Sequence, residues 1–148
     1  MVQAGLHGRD RAASVFAELA GNAAEHSWSA RGAFVAAQAY PQRGFIEIAV
    51  ADVGRGIRTA LNDPAIQSDA DAIQGALREG VTGRRDAGGN PAEGGFGFPT
   101  ALAESTALLV RSGSALINAR MLPGALEELT VNYVAPLRGT LVVADVSS

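Results

Sequence analysis

The sequence predicts one α+β domain built on antiparallel strands. An amphipathic helical stretch opens the chain, Phe45–Asp52 alternates with period two, and turn-forming clusters separate further apolar runs toward the end. With 148 residues, 47% hydrophobic and 18% charged, the chain can bury a core and has no disordered composition.

Composition also narrows the chemistry. There is no apolar run of transmembrane length and no basic-then-apolar leader, so no membrane is expected and a cytoplasmic location is the default. The absence of cysteine removes disulfides, thiolate nucleophiles and cysteine zinc sites, and His7 and His26 alone make a poor metal cluster. All 12 basic residues are arginine, which excludes a Walker-type phosphate loop and Schiff-base chemistry, since both need lysine. A net charge of −3 with scattered arginines leaves no electrostatic footprint for nucleic acid.

Residues 1–8 carry two glycines and no periodicity, and are expected to be a loose end or the cut edge of a longer protein, ahead of a domain over 9–148. From Arg9 to His26 the spacing is helical. Ala12, Phe16, Leu19, Ala20 and Ala23 share one side, and Arg11, Glu18, Asn22 and Glu25 the other. Such a polar stripe is ordinarily a solvated face, but Asn22 is a poor helix former set among alanines. Gly32–Tyr40 and the strand from Phe45 should form an antiparallel hairpin across Pro41–Gly44.

In the second strand Ile46, Ile48 and Val50 share a face, and Asp52 falls on it. A carboxylate at the rim of an apolar surface needs a hydrogen-bond partner to remain ionised, and none is obvious nearby in sequence. Gly54 and Gly56 then allow torsions or close approaches that a Cβ forbids. Alone, Asp52–Gly56 favours a turn with a side-chain-to-backbone bond over an acceptor beside bare backbone offered to a ligand.

After Ile57 the next strand signal comes only at Leu108, with a lid expected over about 58–96. Within it, a helix is expected from Pro64 or Ser68 to Glu79, capped by Asp63 or Ser68 and stopped by Gly80. The glycine-dense stretch Thr82–Gly97 follows. Gly94-Gly95-Phe96-Gly97 leads through Phe98 and Pro99 into a short helix over Thr100–Thr106, either an anion site at its amino end or a plain loop entry. Leu108–Arg111 and Ser114–Ala119 suggest a hairpin across Ser112-Gly113, and Leu129–Val134 and Thr140–Ala144 suggest strands separated by Pro136–Gly139. Met121–Glu128 has no clear assignment.

Taken in order, Glu18-Leu-Ala-Gly-Asn22-Ala-Ala-Glu-His26, Asp52-x-Gly54-x-Gly56, the glycine-rich stretch and Gly95-Phe96-Gly97 resemble the boxes of the GHKL, or Bergerat-fold, ATP-binding family. The Glu-x-x-x-Asn-Ala-x-x-His form is most similar to anti-sigma-factor serine kinases. Asp71–Arg84 is similar to lid segments, and Val110–Ala115 and Leu137–Val142 to closing strands, of related proteins.

The resemblance implies a two-layer α/β sandwich: a mixed, mostly antiparallel sheet covered on one face by helices. It implies ATP and Mg²⁺ as ligands, with Asn22 on the metal, Glu18 as general base and Asp52 accepting from the adenine amino group. Gly54 and Gly56 would pass the base and sugar, Gly95 and Gly97 would face the phosphates, and Ile57, Thr82, Phe96 and Thr140 would also touch nucleotide. Implied partners are ATP or ADP and an anti-sigma-antagonist-like regulator, with a homodimer left open.

The second box departs from the family in continuing Phe98-Pro99 instead of leucine, and the proline withholds one N–H where phosphate would bind. Four functions therefore stand side by side: a protein serine/threonine kinase, a nucleotide-gated binding module or slow ATPase, the isolated catalytic domain of a histidine kinase, and a ligand-free structural domain.

Overall fold

The structure is a computed structural model that describes residues 2–82, 98–122 and 125–148, with side chains for 7–78, 98–122 and 125–148. The elements run α1 (Val2–His26), β1 (Ala33–Tyr40), β2 (Phe45–Asp52), α2 (Gly56–Leu61), α3 (Asp69–Thr82), α4 (Pro99–Glu104), β3 (Ala107–Leu122) and β4 (Ala125–Ser147). The fold is α+β: a four-stranded sheet in the order β1-β2-β4-β3, every pairing antiparallel, with helices packed against one face. Among the described residues no helix is long and apolar enough to cross a membrane.

The alternation of β2 sets the layers. Ile48, Val50 and Asp52 are buried beneath the helices, and Ala144, Val142 and Thr140 of β4 stand opposite them in register. Edge strand β1 lies outside this cover. Val35, opposite Val50, is exposed, and so is Phe34 on the other face. The hairpin turn closes with Gly44 at φ 70° and with Tyr40 stacked on Phe45 at 4.8 Å between ring centroids.

β3 doubles back on itself. Its register breaks at Ser112–Ala115, Gly113 sits at φ 56°, and the Met121 amide donates to the Thr106 carbonyl at 3.0 Å. A straight strand would hold residues 106 and 121 roughly 50 Å apart, so the two halves of β3 must lie side by side. This is the hairpin expected over Leu108–Arg111 and Ser114–Ala119. Val110 and Leu108 from one half, and Ala115, Ile117 and Ala119 from the other, are buried together. β4 is a single element from Ala125 to Ser147, but its pairing with β3 jumps between Tyr133 and Leu137, so it turns with β3 between the two strands expected over Leu129–Val134 and Thr140–Ala144; Met121–Glu128 falls at the end of β3 and the start of β4.

Several expectations are corrected. Residues 2–8 are helical, because Gly8 lets α1 lie against the backbone of Ser147 and Ser148. The buried stripe of α1 is Ala12, Val15, Leu19 and Ala23, while Phe16 is 39% exposed. Gly80 does not stop α3, which is capped by Ser68 accepting from the Asp71 amide at 3.0 Å and runs to Thr82. Burial of Ala70, Ala72, Ile73, Ala76 and Leu77 outweighs the roughly 1 kcal/mol that a helical glycine costs. Of the lid expected over 58–96, the part through residue 82 holds the unanticipated α2 and then α3, and 83–97 lie outside the described residues. α2 ends at Asn62 in the left-handed region, whose amide donates to the Arg58 carbonyl.

Ile117 tests the fold-back. If β3 doubles into the core, Ile117→Ala should cost about 2–5 kcal/mol by urea unfolding, as large-to-small core changes do. A loss under about 0.5 kcal/mol, typical of surface positions, would mean a solvated ribbon instead.

Candidate functional site

Asp52 ends β2 on the covered face and is only 8% exposed. Its partner is local: the Gly54 amide donates to Oδ1 at 2.8 Å. Burial pushes the Asp52 carboxyl above its ordinary value, and backbone hydrogen bonds from Gly54 and Thr140 pull it partly back. A further donor arriving at the free side of this carboxylate would relieve the desolvation that remains.

The glycines after Asp52 are explained by close packing. A Cβ on Gly54 would collide with the Ser27 carbonyl, which also accepts from the Arg55 amide at 2.8 Å. Arg55 Nε donates to the His26 carbonyl at 2.8 Å, and its guanidinium lies 3.8 Å from the Trp28 ring centre, fastening the loop to the end of α1. Gly139, at φ 95°, packs its α-carbon against the Asp52 and Val53 backbone where any Cβ would clash. Gly56 is at φ 78° and opens α2. Ser112 ties these parts together: its Oγ accepts from the Ile57 amide at 3.0 Å, donates to the Gly139 carbonyl at 3.3 Å and lies 3.3 Å from Thr140 Oγ1.

Behind this loop is a small cavity that brings Asn22, Asp52, Gly56 and Thr140 together, with Leu19, Ala23, Val50, Phe98 and Val142 as apolar walls. Its volume is about 20 Å³, close to the space one water occupies. Phe98, where the family resemblance expects leucine, is fully buried and forms part of the wall.

Other predicted site residues lie elsewhere. Glu18 is not on the cavity wall: Oε1 accepts from the Thr100 amide at 2.9 Å and Oε2 from the Ala101 amide at 2.7 Å, so both oxygens cap the first turn of α4. Gly54 faces Ser27, and Ile57 is fully buried with its amide on Ser112. The Thr82 side chain and all of Gly95, Phe96 and Gly97 lie outside the described residues. Among the described residues no group of three or more His, Asp or Glu could hold a metal. Sequence reasoning missed Ser27, Ser112 and Gly139; only Gly139, between Arg138 and Thr140, carried a local signal, as a turn residue.

Removing the cap in Glu18→Ala should lower stability by about 0.5–2 kcal/mol in chemical denaturation, and an unchanged midpoint would show that the α4 amides do not depend on Glu18. Asp52→Asn keeps the acceptor for the Gly54 amide and removes the charge. Because the folded-state carboxyl is raised, the unfolded chain loses its proton first, and the wild type loses stability as pH rises from the ordinary carboxylate value through the raised one. The variant should therefore gain on the wild type across that window and hold a constant difference below it; a difference independent of pH would contradict the raised value. No protein-family model and no curated protein matches the chain, so its function has to be argued from this geometry.

Proposed function

We propose that the chain is a Mg-ATP-binding regulatory domain, acting as a protein serine/threonine kinase of the anti-sigma-factor type. One observation carries the proposal: Asn22, Asp52, Gly56 and Thr140, drawn from α1, β2, α2 and β4, line a single cavity. These are residues that the GHKL resemblance assigns to nucleotide. An underbonded buried carboxylate between apolar walls suits a flat ring bearing an amino group: the walls take the ring faces and Asp52 takes the N–H. Asn22 would contribute one oxygen to Mg²⁺, which binds through few protein ligands and shares the phosphates. When bound, the ion would neutralise charge on the transferred phosphoryl group.

A second reading, a nucleotide-gated binding module or slow ATPase, is favoured by two features. The cavity is far below the ~300–1,000 Å³ of ligand sites, so a base would have to displace Phe98 or α2 to enter. Glu18 would have to leave the α4 amides before accepting a proton from a substrate hydroxyl. Nucleotide entry would then be coupled to rearrangement of α2 and α4, and the rearranged surface would be the output.

Calorimetric titration with ATP and ADP, with and without Mg²⁺, tests the common core of both readings. Asp52→Ala should weaken nucleotide binding about tenfold or more, equivalent to about 1.4 kcal/mol, and Asn22→Ala should remove the Mg²⁺-dependent part alone. No wild-type binding at millimolar nucleotide would sink both readings. Transfer from labelled ATP to an antagonist-like protein, abolished in Glu18→Ala, would then select the kinase.

A further inference from the structure

On the far side of α2 from the Asp52 cavity lies an open groove of about 650 Å³. It is walled by α2, the 62–69 segment, the fold of β3 at Ser112 and Gly113, and Leu137–Gly139. We propose that this groove docks an acidic peptide segment of a protein partner, with Arg58 and Arg138 receiving its carboxylates.

The charges in the groove are unevenly satisfied. Asp69 Oδ2 accepts from the Ser114 amide at 2.9 Å and its hydroxyl at 3.0 Å, and Asp63 Oδ1 accepts from the Ala65 amide at 2.9 Å. Backbone and hydroxyl donors therefore serve both acids, and no arginine is needed. Arg58 and Arg138 are exposed, and their guanidiniums make no hydrogen bond or ion pair with any described residue. A third guanidinium, Arg55, is held at the edge of the groove by His26 and Trp28. Cationic groups are left over here although the chain as a whole carries −3, and a guanidinium fork matches a carboxylate in two parallel hydrogen bonds.

The rest of the lining selects a peptide over a small molecule. Small-molecule sites enclose their ligands in apolar walls, whereas more than half of the residues lining this groove are polar. The side-chain amide of Asn62 suits main-chain N–H and C=O groups, the Gln67 Oε1 can accept an N–H while its Nε2 donates to the Pro64 carbonyl at 2.9 Å, and Pro64, Ile66 and Leu137 give apolar footing between them. Neither arginine lines the Asp52 cavity, although Gly56 lines both.

Trp28, the single tryptophan, lies against Arg55 and supplies a fluorescence readout. The purified chain is titrated with an array of short glutamate-rich synthetic peptides and with their glutamine counterparts. Glutamate peptides should bind and shift Trp28 emission, the glutamine versions should bind about tenfold more weakly or worse, and added salt should weaken the acidic set. Arg58→Glu and Arg138→Glu should each lower affinity about tenfold or more while circular dichroism and thermal unfolding stay as in the wild type. The proposal is overturned if no glutamate peptide binds, if glutamine versions bind equally, or if the charge reversals change nothing. Inorganic phosphate binding as tightly as the peptides, with the same arginine dependence, would also overturn it by revealing a simple anion site.

Discussion

The structure hinges on backbone meeting backbone at one end of the sheet. The Asp52–Gly56 loop can reach the end of α1 only because Gly54 presents no side chain to Ser27, and β4 can enter beside β2 only because Gly139 presents none to Asp52. Those two approaches fix where α1, β2 and β4 converge. The Ser112 hydroxyl joins α2 to the same junction through Ile57, Gly139 and Thr140. The Asp52 cavity is the space left between these contacts, so its floor is as rigid as the packing that makes it.

Three carboxylates in this region work in the same way. Asp52 holds the Gly54 amide, Glu18 holds the first amides of α4, and Asp69 holds Ser114 at the fold of β3. Each acid joins its element to a backbone amide instead of to an arginine. Among the described residues the ion pairs, such as Arg11 with Glu104 at 3.9 Å, are long, and at partly exposed positions such pairs contribute little. One arrangement thus accounts for a cavity that keeps a partly desolvated acid and for a groove that keeps unpaired guanidiniums.

What the sequence made legible was local. Period two in Phe45–Asp52 placed Ile48, Val50 and Asp52 on the covered face, and Ser68 was readable as the cap of α3. The doubled form of β3 followed from Ser112-Gly113. Phe16 was misplaced because a helical wheel cannot say which edge of an apolar stripe the sheet covers. α2 was hidden because Asp52-x-Gly-x-Gly reads as loop until the left-handed turn at Asn62 closes a short helix. Ser112 was out of reach for a different reason: its bond to the Ile57 amide spans |i−j| = 55, and nothing in either segment announces the other. Glu18 shows the limit for sites, since one residue type serves equally as a base and as a cap, and only its distance to Thr100 and Ala101 separates the two.

The order of strands has a consequence for how the molecule is made. β4, last in sequence among the described elements, lies between β2 and β3, and its final residues pair with Phe45–Asp52. As the chain leaves the ribosome, the β1–β2 ribbon must wait with its apolar face and inner edge unpaired, and an isolated two-stranded ribbon is marginal in water. The nascent first half is therefore the aggregation-exposed species, and the sheet closes only once β4 has been made.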